Sequence, residues 1–434
     1  MHIAFVDSNE AALEAIARAK DEGHQVSFIE SFDPIYARTI ENIGLIERSD
    51  WVIRDVATTD AAAVTAALAE CHAKHPVDFA VTHHEMAVEA VALSCRALGL
   101  RGTNPDAVLT ARRKDLLRAA LRDAGLAMPA FALARDAGEA VAAADTIGYP
   151  VVIKPPSGAD SKLTSVARSR ADVRTACEQA LGDLCVVPPV WRPQFSRGLL
   201  VERYLDGPLV SAEIGMRDGR GHVFCISGRT RARDNEVIEI GPHIPAELPP
   251  DQSRACRTYA EAVCRAVGLD PGVFHLEMIV TPGGPVLVEA NPRIMGGIMP
   301  TVYQHAAGRN IYTDFARLIS GAPVDGSPLF DGCVTGRRLF AAVDSTLPES
   351  WDSGWLARYS GQLIRYDSPA SLGLGPLQTV RRGDVIARVI LRGSEYADTA
   401  RIGGEIARHV EQSLGIELMH GEYDRDPAYS DIVL

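Results

Sequence analysis

The chain opens on two alternating periods. Ile3–Val6 and Gln25–Ile29 are apolar runs of strand length, and between them Leu13, Ile16 and Ala17 recur at helical spacing. Ser8 or Asn9 can cap that helix and Gly23 can stop it. Ala61–Ala73 reads as an alanine-rich helix, Asp78–Thr82 as a strand, and Glu85–Leu98 as a helix ended near Gly99. Strand and helix in alternation predict a parallel sheet covered by helices. Turn-rich Arg101-Gly102-Thr103-Asn104-Pro105 marks a boundary. Beyond it the pattern predicts a helix over Pro105–Ala124 closed by Gly125, then strands at Ala130–Ala134 and Tyr149–Lys154 around a helix at Ala137–Ile147. A helix at Ala171–Leu181, an aperiodic loop at Val186–Arg197 and a strand at Leu199–Tyr204 follow, with further β-type runs to Ile240.

Two apolar runs, Phe274–Val280 and Pro285–Arg293, flank Pro282-Gly283-Gly284 and read as a hairpin. Each carries a carboxylate where a buried strand should be apolar. A three-residue loop pairs positions symmetrically about Gly283, which sets Glu277 opposite Glu289; alternation brings Asn291 to the same face. Like charges so placed destabilise a sheet. Two carboxylates and an amide oxygen suit a hard divalent cation, Mg²⁺ shared with a nucleotide phosphate. A two- or four-residue loop would break that pairing, and two solvated glutamates on an exposed face are the ordinary alternative. A helix is expected around Ile298–Leu318, a boundary near Gly321–Asp331, strands at Arg337–Val343 and Val385–Leu391, and a last helix at Tyr396–Leu414.

Composition narrows the classes. A chain of 434 residues is too long for one core, so two to four domains are expected. The net charge is −12, and no basic stripe interrupts it, which sets nucleic acid aside as a partner. The start, Met1–Asp7, reads as a first strand rather than a leader peptide. No run of about 18 apolar residues occurs, so no membrane-spanning helix is expected. Eight scattered cysteines without a Cys-x-x-Cys pair are expected to be reduced. These features fit a cytoplasmic protein.

Other residues carry candidate chemistry. Lys154 ends a buried apolar strand, where a lysine needs an anionic partner such as phosphate; a snorkelling strand-end lysine is the bland reading. The loop Ser157–Ser165, with Ser161, has small residues that let backbone N–H groups approach phosphate oxygens, yet it lacks the Walker A spacing. Lys114 sits in a basic helical stretch that alone reads as a solvated face. Glu202-Arg203-Tyr204-Leu205 runs from strand into turn, where backbone groups can hydrogen-bond an adenine ring. His83-His84-Glu85 follows a strand. Adjacent histidines point to opposite faces, so a substrate contact there, with Glu85, is favoured over a metal site. The first turn, Val6-Asp7-Ser8-Asn9, lacks a dinucleotide fingerprint.

Taken in order and spacing, Lys114, Lys154 with its loop, the Glu202–Leu205 segment and Glu277…Glu289-x-Asn291-x-Arg293 resemble the ATP-grasp superfamily. The resemblance runs from about Asn104 to Pro300, and the preceding Rossmann-like segment is similar to that family's usual first domain. Asp160 and Lys162 depart from its glycine-rich loop. The implied fold is α/β and α+β: a Rossmann-like domain over 1–103, an ATP-grasp domain over 104–329 with a flexible lid at about 127–204, and a C-terminal α+β extension over 330–434. ATP would lie between sub-domains. Lys114, Lys154 and Ser161 would face its phosphates, and Glu202, Tyr204 and Leu205 its adenine. Glu213 would lie at the ribose or the hinge. Glu277, Glu289 and Asn291 would hold two Mg²⁺, with Mn²⁺ as an alternative ion. Arg293 and the backbone of Gly296 and Gly297 would stabilise charge developing on the reacting groups.

Asn291–Pro300, and His243 in Ile240–Ala246, resemble the branch of ATP-dependent L-amino-acid (dipeptide) ligases, in which His243 would face substrate. The resemblance implies small-molecule carboxylate and amine substrates joined through an acyl phosphate. Competing readings are a purine-pathway or biotin-carboxylase-like enzyme and a non-catalytic nucleotide-binding module. The tail is also a candidate homodimer face.

Overall fold

The computed structural model describes residues 1–158, 163–182, 192, 197–326 and 328–422. The chain divides into two compact units. The first comprises Met1–Ile226, Pro249–Pro300 and Arg309–Pro328; the second comprises Ser227–Leu248, Thr301–Gly308 and Leu329–Leu434.

The first unit begins with a four-stranded parallel sheet. Its order is Trp51–Val56, Gln25–Ser31, His2–Val6, Phe79–Val81. Its apolar runs are buried because helices cover them: Val64, Leu68 and Cys71 from Ala61–Lys74 and Val91 and Cys95 from Val88–Leu98 close over Ala4, Val6 and Ile29. The strand Trp51–Val56 is absent from the sequence reading; its Arg54 and Asp55 are exposed and hide its period.

The helix expected over Pro105–Ala124 is two helices, Pro105–Arg112 and Lys114–Asp123. Arg113 breaks it with an extended backbone at φ −100° and ψ 98°. Lys114 therefore begins a helix instead of sitting mid-helix. It is 7% exposed, which removes the solvated-face reading.

A four-stranded antiparallel sheet follows, ordered Phe131–Ala134, Leu199–Arg203, Val151–Lys154, Ser165–Ala167. Helices Ala137–Ile147 and Arg170–Gly182 pack on it through Ala140, Ala144, Val173 and Cys177. Ser161 lies outside the described residues, as does most of the expected loop at Val186–Arg197.

The same unit holds Leu209–Arg217, Gly272–Thr281 and Gly284–Asn291, paired antiparallel in that order. A helix that the pattern reading passed over, Pro250–Val267, buries Cys256, Ala260, Val263 and Cys264. The helix expected around Ile298–Leu318 is likewise two, Met299–Ala307 and Ile311–Ser320. Asn310 caps the second by accepting from the Tyr312 N–H.

The second unit is a sheet backed by one long helix. Asn235–Ile244 pairs with Cys333–Phe340, which pairs with Val385–Gly393, and that in turn with Leu363–Asp367. Tyr396–Leu414 lays Ile402, Ile406, Val410 and Leu414 against Leu339, Val389 and Leu391. These four residues keep the helical period on one face. Seven cysteines among the described residues are buried and free, and no described helix is long and apolar enough to cross a membrane.

Candidate functional site

Glu277 and Glu289 are directly opposite in the hairpin, and His275 is opposite Asn291. The route to that register differs from the expected one. Thr281 pairs with Gly284, so the loop is the two residues Pro282 and Gly283. That loop alone would set Glu277 against Val288 and turn Glu289 to the other face. A bulge corrects it: Met278 pairs with Leu287 and Glu277 with Glu289, leaving Val288 as an extra residue.

The neighbouring strand adds Glu213 opposite His275 and Ser211 opposite Glu277. His275, missed in the sequence, is an ion at the centre of this face. Its Nδ1 hydrogen-bonds Glu213 Oε1 and its Nε2 lies 3.1 Å from Glu277 Oε1. Burial favours the neutral ring, but the two carboxylates outweigh it and push the imidazole up to about 9. The signal lay in His275-Leu276-Glu277, since residues two apart share a strand face. Glu213 is fully buried and hydrogen-bonds His275; its Oε2 has no partner among the described residues.

Each acid of the pair thus faces a cation of the chain: Glu277 faces His275, and Glu289 Oε1 forms an ion pair with Lys114 Nζ at 3.2 Å. Among the described residues no cluster of three His, Cys, Asp or Glu side chains forms a metal cage. Two carboxylates and the buried Asn291 amide make a partial set. That fits Mg²⁺, which takes few protein ligands and completes its shell with phosphate and water oxygens.

Lys154 Nζ lies 2.6 Å from Glu202 Oε2, and Arg118 Nε donates to Glu202 Oε1 at 2.8 Å. All three side chains are under a tenth exposed. Burial pushes the Glu202 carboxyl up, yet Arg118 and Lys154 outweigh it and hold it down at about 2. Burial is also what lowers Lys154, against the pull of Glu202. Glu202 lies inside the sheet, paired with Phe131 on one side and Val152 on the other. Tyr204 and Leu205 follow the last paired residue, and Tyr204 N–H donates to the Pro150 carbonyl at 3.1 Å. The backbone positions outside the ladder are therefore Tyr204 and Leu205, and Glu202 acts through its side chain.

Glu202→Gln leaves Arg118 and Lys154 buried without a counter-charge and is expected to cost about 3–5 kcal/mol at neutral pH. Because the folded carboxyl titrates below its ordinary value of about 4.3, its contribution is full above that value and is lost as pH falls through about 2. Urea midpoints of wild type and variant should differ most near neutrality and converge in acid. Equal midpoints at neutrality would remove the role given to this pair.

Arg293 Nε donates to Glu85 Oε2, while Arg112 Nη1 takes Glu85 Oε1 at 2.6 Å and the Glu85 carbonyl at 2.7 Å. Both oxygens of Glu85 are spent on arginines, so its visible work is to aim Arg293. Burial raises the Glu85 carboxyl, but Arg293 and Arg112 bring it below the usual range. A Cβ on Gly296 would sit 3.5 Å from Arg293 Nη1, and Gly297 has φ +59°. Both precede the helix that starts at Met299.

His84 Nδ1 pairs with Asp7 Oδ2 at 3.0 Å, whereas His83 packs among Phe5, Tyr312 and Phe315. They point apart, as adjacent residues should. His243 belongs to the second unit, where it stacks on Tyr396 at 3.8 Å and covers Gly228. Burial, then the charge of Arg229, lowers it to about 3, so it works as a neutral ring.

Residues 147–302 match the family described as an ATP-grasp domain. The chain is 29% identical over 267 residues to protein y4rH of Sinorhizobium fredii, covering 58% of this chain and 51% of that protein. It is 28% identical over 229 residues to carnosine synthase 1 of Gallus gallus, covering 51% of this chain and 24% of that one. The chain thus spans about half of the length of the first of these curated relatives and about a quarter of the second. Its fold superposes on the L-amino acid ligase of Bacillus licheniformis with a TM-score of 0.72 at 18% identity, covering 96% of this chain and 98% of that one. Residues 147–302 are thus an ATP-grasp domain, in a chain that shares its fold with the solved L-amino acid ligase.

Proposed function

We propose that the chain is an ATP-dependent carboxylate–amine ligase that joins two small molecules, amino acids in the first instance, and releases ADP and phosphate. The observation that carries this is the in-register pair Glu277–Glu289 with Asn291 on its face and Lys114 against Glu289. The family match, the 28% identity to a carnosine synthase and the fold of an L-amino acid ligase support the class.

A carboxylate resists amines because its leaving group is poor. Its oxygen attacks the γ-phosphorus, ADP departs, and the acyl phosphate is then attacked by the amine. The new C–N bond forms as phosphate leaves with one former carboxylate oxygen. Glu277, Glu289 and Asn291 would hold Mg²⁺, which supplies charge neutralisation on the transferring phosphoryl group. Lys114 exchanges Glu289 for phosphate oxygens, and Lys154 adds a second cation. Arg293, aimed by Glu85, presents N–H donors to the acyl or phosphoryl oxygens. The backbone N–H groups of Gly296 and Gly297 face the developing oxyanion. Tyr204 and Leu205 border adenine. On this reading residues 1–103, 104–329 and 330–434 are the functional divisions of the chain.

The test is a matrix of amino-acid pairs assayed for ADP formation, with mass spectrometry of products. ADP formation that requires both a carboxylate and an amine, with heavy oxygen from a labelled carboxylate recovered in phosphate, is the expected result. ADP formation indifferent to both would reject the ligase.

A further inference from the structure

The extra residue of the hairpin is held by a side chain with no exposed surface. Arg118, on the helix Lys114–Asp123, is among the largest fully buried side chains of the protein. Its Nη2 donates at 2.7 Å to the carbonyl of Val288, the residue the bulge leaves unpaired. The same guanidinium gives Nε to Glu202 Oε1 at 2.8 Å and Nη2 to Glu202 Oε2 at 3.4 Å. Glu202 in turn holds Lys154. One helix turn earlier, Lys114 meets Glu289. A single helix face therefore touches the strand carrying Glu289 twice, once at a side chain and once at the bulge.

Among the described residues Gly284–Asn291 is an edge strand, paired with Gly272–Thr281 on one side. An extra residue on an edge strand costs a ladder bond and leaves a carbonyl to be satisfied from elsewhere. Slipping out the bulge would restore regular pairing but put Glu289 on the core face beside Leu276 and Leu287. An apolar side chain at position 118 would leave the Val288 carbonyl unmet and the Glu202 carboxylate with one cation instead of two.

We propose that Arg118 is a positioning residue for the reaction: it pins the Val288 bulge that sets Glu289 opposite Glu277, and through Glu202 it ties that register to Lys154. The inference rests on the metal and nucleotide reading above. It assigns Arg118 no contact with substrate. The guanidinium offers Nε to Glu202 and Nη2 to the Val288 carbonyl at once, two acceptors on different strands.

The test uses the full chain as wild type, Arg118→Lys, Arg118→Met and, as a control of the underlying reading, Glu289→Gln. Hydrogen exchange of the 284–291 segment reports the bulge without reference to activity, and Mn²⁺ titration with a non-hydrolysable ATP analogue reports the acid pair. Arg118→Met is expected to speed exchange in that segment at least tenfold relative to the parallel sheet of 2–81, and to weaken Mn²⁺–nucleotide binding at least tenfold. Arg118→Lys, which keeps the charge on Glu202, is expected to fold and to fall between the two in both readouts, so it carries the test if Arg118→Met fails to fold. Unchanged exchange and unchanged Mn²⁺ affinity in a folded Arg118 variant would overturn the proposal. Wild-type Mn²⁺ affinity in Glu289→Gln would instead overturn the metal reading, while the exchange arm still decides whether Arg118 pins the bulge.

Discussion

Glu289→Gln is expected to abolish ADP formation, a loss of at least about a thousandfold, while far-UV circular dichroism stays that of the folded wild type. The substitution keeps the shape and removes one of the two opposed carboxylates. Phosphoryl transfer depends almost wholly on positioning and charge neutralisation, so removing a metal ligand acts on the barrier directly. Oxyanion donors removed singly from other active sites cost about 10²–10³ in rate, and a metal ligand is worth at least that. The substitution leaves the buried Lys114 without its counter-charge, so the unfolding midpoint should fall, while the part-exposed Glu289 leaves the fold itself intact. Near-normal ADP release from the folded variant would end the metal assignment.

The second large effect is expected from Arg293→Ala. Turnover should fall about 10²–10³-fold, while KM for ATP moves by less than about threefold. Arg293 reaches its position through Glu85, which Arg112 also grips, and through its own bond to the Ile294 carbonyl. Its influence therefore falls on the transferred group, not on nucleotide retention. Steady-state kinetics with varied ATP and varied carboxylate separates the two. A variant that loses ATP affinity alone would move Arg293 into nucleotide binding. Glu85→Gln, which loosens the aim but leaves the guanidinium, should give a smaller drop in the same parameter.

Much of this was legible in the residues because strand patterning is strict. Glu277, Glu289 and Asn291 fell on one face by alternation, and the alternating first domain is the parallel sheet expected. The register agrees for a different reason. The loop is one residue shorter than expected, and the Val288 bulge supplies the missing step. Nothing local in Pro285–Asn291 announces a bulge, because its cause lies far away in Arg118. The break at Arg113 hid for a similar reason. The apolar period continues across it, and the reason for the kink is tertiary: Lys114 N–H donates to the Pro156 carbonyl at 2.8 Å. His275 could have been found from its spacing to Glu277. Pro250–Val267 could also have been found, since Pro249-Pro250 opens it, Gly268 closes it, and its apolar residues recur at helical spacing.

The pairing of Lys114 with Glu289 and of Lys154 with Glu202 has a consequence for how the protein meets its ligands. In the resting chain neither lysine is a bare charge that any polyanion can seize, and the acid opposite Glu277 is not bare to any cation. On the proposed reading, entry would be a swap of partners. A triphosphate arriving alone would strand Glu289, and magnesium arriving alone would strand Lys114; the two together would leave both charges matched. Calorimetry should therefore find feeble heats for either one by itself and strong mutual enhancement for the combination, a two-key arrangement that keeps the cleft indifferent to stray phosphate.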